Sequence, residues 1–461
     1  MEVNMKHRKS FIAIILTAVL VLSLPLGAFA ASSNTPAPQN WYASQNAILE
    51  TNGRIALTPG ATENDRNFSW ALSSFEQCPD GEQFMYADNE DFENAVYIEA
   101  DAVTDSSFIY VANRVSLTDL DAGTYYYNYT CGGKWQEPAQ FNINDTSDGF
   151  TVMFCSDVQL GRSGDDANDA VINDTYGWAR ALDSAVSKAP DMDFIVSAGD
   201  QVNVALNKSQ YNAFLYPEQL RSYPIAAAVG NHDFYTSYYS YHFFNPNVCG
   251  EEILSLCGDD YYFSYGNAVF IVLNSNDLLV PEHDAAIESA IKAYPDAKWR
   301  IVVMHHTAYI PNNDGEENTT AKLFAPLFDK YDIDMVLSGH EHVYSRTEPL
   351  TAGKPDANGV IYFEASTASG CNHCHFNNTD ERIAATLNTE EPTYSLVNFG
   401  ENEISVTSYL TDTDEVFDSF TVTKTQNPKA ISASSQNLLD IIIQIFKAIL
   451  KMLTDFKVNF Q

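Results

Sequence analysis

Positive charge is what this sequence has least of. Its 25 lysines and arginines face 61 aspartates and glutamates, a formal net charge of −36 over 461 residues. So acidic a surface keeps a chain soluble and repels polyanions, which argues against nucleic acid as a partner. Phosphate would then have to be held by a local cationic centre. Long apolar runs are also scarce. The one at the start, residues 11–26, follows Lys6, Arg8 and Lys9 and leads into Ala28-Phe29-Ala30. A basic opening, a short apolar stretch and a small-x-small site read as a signal peptide over residues 1–30, so the chain is expected to be secreted or held at the cell surface. Cysteines number only seven. In an exported chain Cys78 with Cys131, and Cys249 with Cys257, are spaced to pair, although sequence does not fix connectivity. Cys155 lies in an apolar run and reads as a buried free thiol. The segment Cys371-Asn372-His373-Cys374-His375 is open between a loop disulfide and a compact metal site at a pocket rim.

Short alternating segments such as Asn67-Phe68-Ser69-Trp70, parted by Pro-Gly, Asp-Gly and Gly-Gly turns, predict an all-β sandwich over residues 41–146. From residue 149 to 425 apolar β-branched runs mix with helical periodicity, which predicts an α/β (α+β) domain. Residues 426–436 read as a polar linker. Over 437–457 polar residues recur at steps of three and four beside a wide apolar face. That predicts one amphipathic helix, suited to packing on its own domain, self-association or a membrane surface.

Five segments carry metal-ligand residue types in order: Asp157 and Gln159; Asp200 and Asn203; Asn231 with His232 and Asp233; His305 with His306; and His340 with His342. Nearly every one follows a short apolar run that reads as a buried strand. The ligands therefore gather where strands end, as sites do in open α/β sheets. Glycines precede Asp200, Asn231 and His340 and let the chain turn sharply there. Carboxylate, amide and imidazole without thiolate suit zinc, iron or manganese, and Asp200 is the natural bridge between two ions. Two such ions activate a water and hold both oxygens of an in-line displacement, which fits phosphate ester hydrolysis. Any one of these pairs alone would be a turn, a helix cap or a strand end; their joint order is what carries the reading.

The order Asp-x-Gln, Gly-Asp, Gly-Asn-His-Asp, His-His and Gly-His-Glu-His resembles the calcineurin-like metallophosphoesterase superfamily. With the Trp70 region and Gly133-Lys134-Trp135, it is similar to the bacterial, purple acid phosphatase-like branch bearing a fibronectin-like N-terminal domain. The resemblance implies a four-layer metallophosphoesterase sandwich. One metal would be held by Asp157, Asp200 and His342, the other by Asp200, Asn231, His305 and His340. Gln159 stands where many members have histidine. Asn203 stands where purple acid phosphatases have tyrosine, so no purple colour is expected, while amide oxygens can still complete the shells. His232 would protonate the leaving group or bind phosphate, with Asp233 orienting it and His306 facing the same pocket. Arg346 is open between supporting the site and a structural ion pair. The expected activity is phosphate monoester hydrolysis by attack of a metal-bound hydroxide on a small phosphorylated substrate. The rival readings are a phosphodiesterase acting on nucleotide or wall-polymer linkages, and a surface-binding protein with a vestigial metal site.

Overall fold

The computed structural model describes residues 35–104, 109–164, 167–249, 257–311 and 318–424. The expected signal peptide, linker and C-terminal amphipathic helix lie outside the described residues.

Between residues 55 and 143 two antiparallel sheets face one another. One runs Ile55–Pro59, Arg66–Ser73, Tyr110–Leu117, Asp101–Thr104. The other runs Val96–Glu99, Gln83–Ala87, Gly123–Cys131, Lys134–Trp135, with Ala139–Ile143 also on Gly123–Cys131. The alternation in the sequence explains the pairing, because Phe68, Trp70 and Leu72 point one way along a strand and meet Phe84, Tyr127, Tyr129 and Phe141. Trp70 and Tyr129 ring centres lie 5.1 Å apart, and Phe68 and Phe84 4.7 Å. This sandwich is tied to the larger part of the chain. Ser69 Oγ donates to the Tyr241 carbonyl, Asn67 and Thr58 to that of Phe244, and buried Arg66 spans to Tyr265.

The larger part is built on a six-stranded and a seven-stranded sheet. The first runs Ile225–Ala227, Phe194–Ser197, Phe150–Cys155, Thr393–Phe399, Glu403–Leu410, Val416–Thr423. Its first three strands are parallel and the rest antiparallel. The second runs Tyr261–Tyr265, Ala268–Leu273, Trp299–His306, Met335–Gly339, Ile361–Glu364, Tyr344–Thr347, Ile383–Leu387, with the second to fifth strands parallel. Phe150, Val152 and Phe154 face the opposite sheet at Phe270, Val303, Leu337 and Phe363. Met153 and Cys155, one residue out of step, face outward against Trp178, Leu182 and Phe214 of helices Ala167–Lys188 and Lys208–Phe214. Helices Val280–Ala293 and Thr319–Lys330 cover the other sheet through Ile287, Phe324 and Phe328. The layers are thus helix, sheet, sheet, helix. Both faces of each central strand are buried, which is why these strands read as unbroken apolar runs.

Cys78, Cys131, Cys371 and Cys374 are free thiols in this structure, so the expected pairing of Cys78 with Cys131 is not made; Cys155 is a buried thiol, as expected.

Candidate metal centre

The parallel strands of both sheets end at one edge, and the side chains just past those ends meet. Asp157 and Asp200 follow Phe150–Cys155 and Phe194–Ser197; Asn231 follows Ile225–Ala227. From the other sheet, His305 closes its strand, and His340 and His342 follow Met335–Gly339. Asp157, Asp200 and His305 place ligand atoms within 4.8 Å of one another, and all three are buried. His342 Nε2 lies 3.4 Å from Asp157 Oδ1, and His305 Nε2 lies 3.4 Å from Asp200 Oδ2. Asn231 Oδ1 sits 2.9 Å from His305 Nε2 and 3.0 Å from His340 Nδ1. One group of donors is therefore Asp157 with His342. The other is Asp200, Asn231, His305 and His340.

The backbone is bent to achieve this. Asp157, Gln159, Asp200, His340 and His342 all have positive φ, at 49°, 38°, 52°, 84° and 53°. Side-chain-bearing residues rarely occupy that region, and such strain concentrates at functional sites. The preceding glycines matter for different reasons. Gly199 itself turns at φ 108°. Gly230 and Gly339 matter for closeness: a Cβ at Gly339 would stand 2.3 Å from Asp157 Oδ2.

Three of the candidate ligands are held from behind. The Asp157 carbonyl accepts from Thr367 Oγ1 at 2.8 Å, and its Oδ2 from the His340 amide at 2.9 Å. His305 Nδ1 donates to the Ala198 carbonyl at 3.0 Å and His342 Nδ1 to that of Asn372 at 3.1 Å, which leaves Nε2 of each ring facing the carboxylates. Against burial, the charge of His305 keeps Asp200 ionised well below the usual carboxylate range. Burial alone would hold His305 neutral, but Asp200 lifts its pKa to about 9. His306 is driven down to about 3 by burial and by His305, so it is a neutral ring here.

The residues fit a cation. Asp157 Oδ1 is buried with no hydrogen-bond partner, and a buried carboxylate oxygen left so is costly without a positive charge beside it. The donor set is oxygen and imidazole nitrogen, suited to zinc, iron or manganese.

The other expected residues fall as follows. Gln159 is buried beside the cluster, its Nε2 3.4 Å from Asp200 Oδ2. Asn203 places its side chain elsewhere: its amide donates to the Gly161 carbonyl at 3.3 Å, while its own carbonyl lies 2.7 Å from His232 Nδ1. That carbonyl orients His232, in place of the expected Asp233. The Asp233 carboxylate is turned inward, accepting from the Gly230 and Gln201 amides at 3.0 and 3.3 Å, and so clamps the two turns together. His306 packs on His340 at 4.5 Å between ring centres and its Nδ1 meets Ser275 Oγ at 2.9 Å. Arg346 is structural, paired with Asp418 at 3.1 Å and lying over the Phe420 ring. The Cys371–Cys374 loop wraps the centre, with Cys371 Sγ 3.6 Å from the Asp157 carbonyl and the Cys374 amide on that of His342. Sequence reasoning missed Thr367, Ser275 and Asn372, since single polar residues in loops carry no pattern.

Residues 150–344 match the profile of the calcineurin-like phosphoesterases. Those residues carry a calcineurin-like phosphoesterase domain. Purple acid phosphatase 21 of Arabidopsis thaliana is 24% identical over 264 residues, 54% of this chain and 56% of that protein. An uncharacterized Mycobacterium tuberculosis protein is 43% identical over 54 residues, 11% of this chain and 10% of that one. The chain thus spans little more than half of the plant relative and a tenth of the mycobacterial one. Among solved structures, purple acid phosphatase PPD1 from yellow lupin (Lupinus luteus) seeds matches with a TM-score of 0.64 at 17% identity, covering 80% of this chain and 74% of that one. The structure of PhoD matches at 0.56 and 12% identity, covering 88% and 99%. At such identities these two show the fold.

Proposed function

We propose that the chain is an exported, dinuclear-metal phosphoric ester hydrolase acting on phosphate monoesters of small substrates. The convergence of Asp157, Asp200 and His305 from two sheets within 4.8 Å carries this reading. Asp157 with His342 would hold one ion and Asn231, His305 and His340 the other, with Asp200 between them. When bound, two such ions supply an activated water and neutralise phosphoryl charge. The protein's own groups do the rest. The Asn203 carbonyl holds the Nδ1–H of His232, which leaves its Nε2 to carry the proton for the departing alkoxide. Neutral His306, fixed by Ser275, lines the same side as His340. Its hydrogen-bonding ring offers contact to phosphoryl oxygen without adding charge.

The test is hydrolysis of p-nitrophenyl phosphate beside its bis-ester by protein reconstituted with zinc, manganese or iron, with Asp200→Asn as blank. Preference for the monoester supports the proposal. Preference for the bis-ester makes the chain a phosphodiesterase, and equal signal in the blank removes the catalytic reading.

A further inference from the structure

Apolar side chains scattered singly over a surface need no explanation, but a gathered set marks a place of contact. Val204, Leu206, Tyr235, Ile109 and Phe75, each between 41% and 95% exposed, lie along one path. Contacts trace it. It starts at His232, whose amide donates to Asp200 Oδ1 at 2.8 Å and whose Nδ1 lies 2.7 Å from the Asn203 carbonyl. Val204 and Leu206 follow Asn203 directly in the chain, and Tyr235 comes three residues after His232. The two segments touch, since Thr236 Oγ1 donates to the Ala205 carbonyl at 3.3 Å. From there the path crosses to the N-terminal sandwich. The Tyr238 ring stands 5.1 Å from that of Tyr110, and Lys208 Nζ lies 5.4 Å from the Tyr110 ring centre. Ile109 precedes Tyr110, and its carbonyl accepts from the Ser74 amide at 2.8 Å, next to Phe75.

The start of this ledge is held in place. The Asn203 amide donates to the Leu160 carbonyl at 3.1 Å, the Val204 amide to Gln210 Oε1 at 2.8 Å, and the Asn207 amide to the Val204 carbonyl at 2.8 Å. Asn207 then caps helix Lys208–Phe214, its side chain accepting from the Ser209 and Gln210 amides. A backbone bonded this fully keeps Val204 and Leu206 in water, where apolar surface is unfavourable, and a bound apolar group would relieve that. Residues 201–207 and 234–241 also carry no charged side chain, in a chain with 61 acidic residues.

We propose that this ledge holds the alcohol part of the substrate, so the preferred substrates are phosphate monoesters of long-chain apolar alcohols. This rests on the hydrolase reading above. The alkoxide that takes the His232 proton departs on the His232 side, so what lies beyond His232 meets the alcohol rather than the phosphoryl group. Such a substrate also suits so acidic a chain, because only its head is charged and its tail is not repelled.

The experiment measures kcat/KM of metal-loaded wild type, the double variant Val204→Ser/Leu206→Ser and Val416→Ser on n-butyl and n-octyl phosphate, both kept monomeric. Val416, 49% exposed on the edge strand Val416–Thr423, is the control. Wild type and Val416→Ser are expected to prefer the octyl ester about ten-fold, through KM, as four half-covered methylenes would give, and the double variant less than about three-fold. An octyl to butyl ratio near one in wild type, or a ratio that the double variant leaves unchanged, overturns the proposal. If wild type hydrolyses neither ester, the hydrolase reading fails by itself. Calorimetric titration of n-octyl phosphonate and methyl phosphonate into the metal-loaded proteins then decides the ledge alone: a preference for the octyl compound that the double variant loses supports it, and equal binding of the two by wild type overturns it. Two other occupants would also overturn it. A wild-type dimer in sedimentation that the double variant dissociates assigns the ledge to a second copy of the chain. Co-sedimentation of wild type with phosphatidylcholine vesicles, without any octyl preference, assigns it to a lipid surface.

Discussion

Gly230→Ala tests the architecture of the centre most directly. Gly230 is where the turn carrying Asn231 passes the turn carrying Asp200. An added Cβ would stand 2.0 Å from Asp200 Oδ1, 2.1 Å from its amide nitrogen and 2.8 Å from its Cα, where ordinary contact begins at 3.4 Å. Two of those atoms are backbone, so a side-chain rotation gives no escape and the two turns must separate by on the order of 1 Å. Asp200 is already at φ 52°, its Oδ1 holds the His232 amide at 2.8 Å, and its Oδ2 faces His305 at 3.4 Å. Separation therefore disturbs three groups at once. Overpacking of this kind costs about 1–3 kcal/mol of stability, and a misplacement of about 1 Å at reacting groups costs on the order of 100-fold in rate. The assay is metal content by mass spectrometry after reconstitution and dialysis, with kcat on p-nitrophenyl phosphate and a thermal melt. Gly123→Ala is the control, because a Cβ there meets nothing within 4 Å. A Gly230→Ala protein that keeps wild-type metal content and turnover would refute the reasoning.

Three further outcomes follow from packing and charge. His283 is fully buried, with Nδ1 2.7 Å from Asp260 Oδ2 and Nε2 donating to the Asp277 carbonyl at 3.0 Å. Burial would lower its pKa, but Asp260 overcomes this and holds it at about 9. A raised folded-state pKa gives stability that is complete below about pH 6.5 and lost as pH climbs through 9, about 3 kcal/mol in all. The stability gap between wild type and His283→Gln should shrink across that window in denaturant titrations, and a gap flat with pH counts against the pairing. Chelation should lower the melting temperature and readdition of metal restore it, with about 2.7 kcal/mol gained at a hundred times Kd; Asp157→Asn should blunt the gain, and an undiminished gain would place the ion elsewhere. Trp70→Ala, at the centre of the N-terminal core, should cost about 3–5 kcal/mol by urea unfolding, and a loss under about 1 kcal/mol would mean the sandwich contributes little to the folded state.

Much of the two-sheet part was legible because its physics is periodic. Strands buried on both faces leave unbroken apolar runs, and polar residues at their ends stand out sharply: Asp157 after Phe150–Cys155, His340 after Met335–Gly339. The candidate ligands could be named for the same reason. What the sequence hid were the roles of neighbours. Asp233 follows His232 directly and invites an orienting role, yet adjacent residues past a strand end point in different directions, and the carbonyl of Asn203 reaches the ring instead. Asn203 was expected to offer its amide, but backbone contribution is invisible in a residue name. Arg346 next to a ligand-bearing turn pairs outward with Asp418 on a strand far along the chain. The Cys371 loop gave two readings from composition alone. Its actual contribution, an Asn372 carbonyl fixing His342, depends on a fold-back that no local pattern encodes.

The clustering of left-handed residues explains why the centre sits where it does. Each such residue costs on the order of 1–3 kcal/mol unless its surroundings over-determine it, and Asp157, Gln159, Asp200, His340 and His342 all lie at one edge. Two sheets meet there face to face through Phe154, Val303, Leu337 and Phe363, and a packed core of that kind does not yield to a local bend. The core therefore holds the strained turns, and the turns bring candidate donors from opposite sheets together. A bound cation would link Asp157 and Asp200 of one sheet to His305, His340 and His342 of the other. The strain is then met during folding rather than at binding, so the donors are ordered before a metal arrives, and metal affinity gains from preorganisation. On this argument, loosening the sheet interface well away from the ligands, as Phe363→Ala would, weakens metal retention as well as stability, whereas an equally large loss in the N-terminal sandwich lowers stability alone.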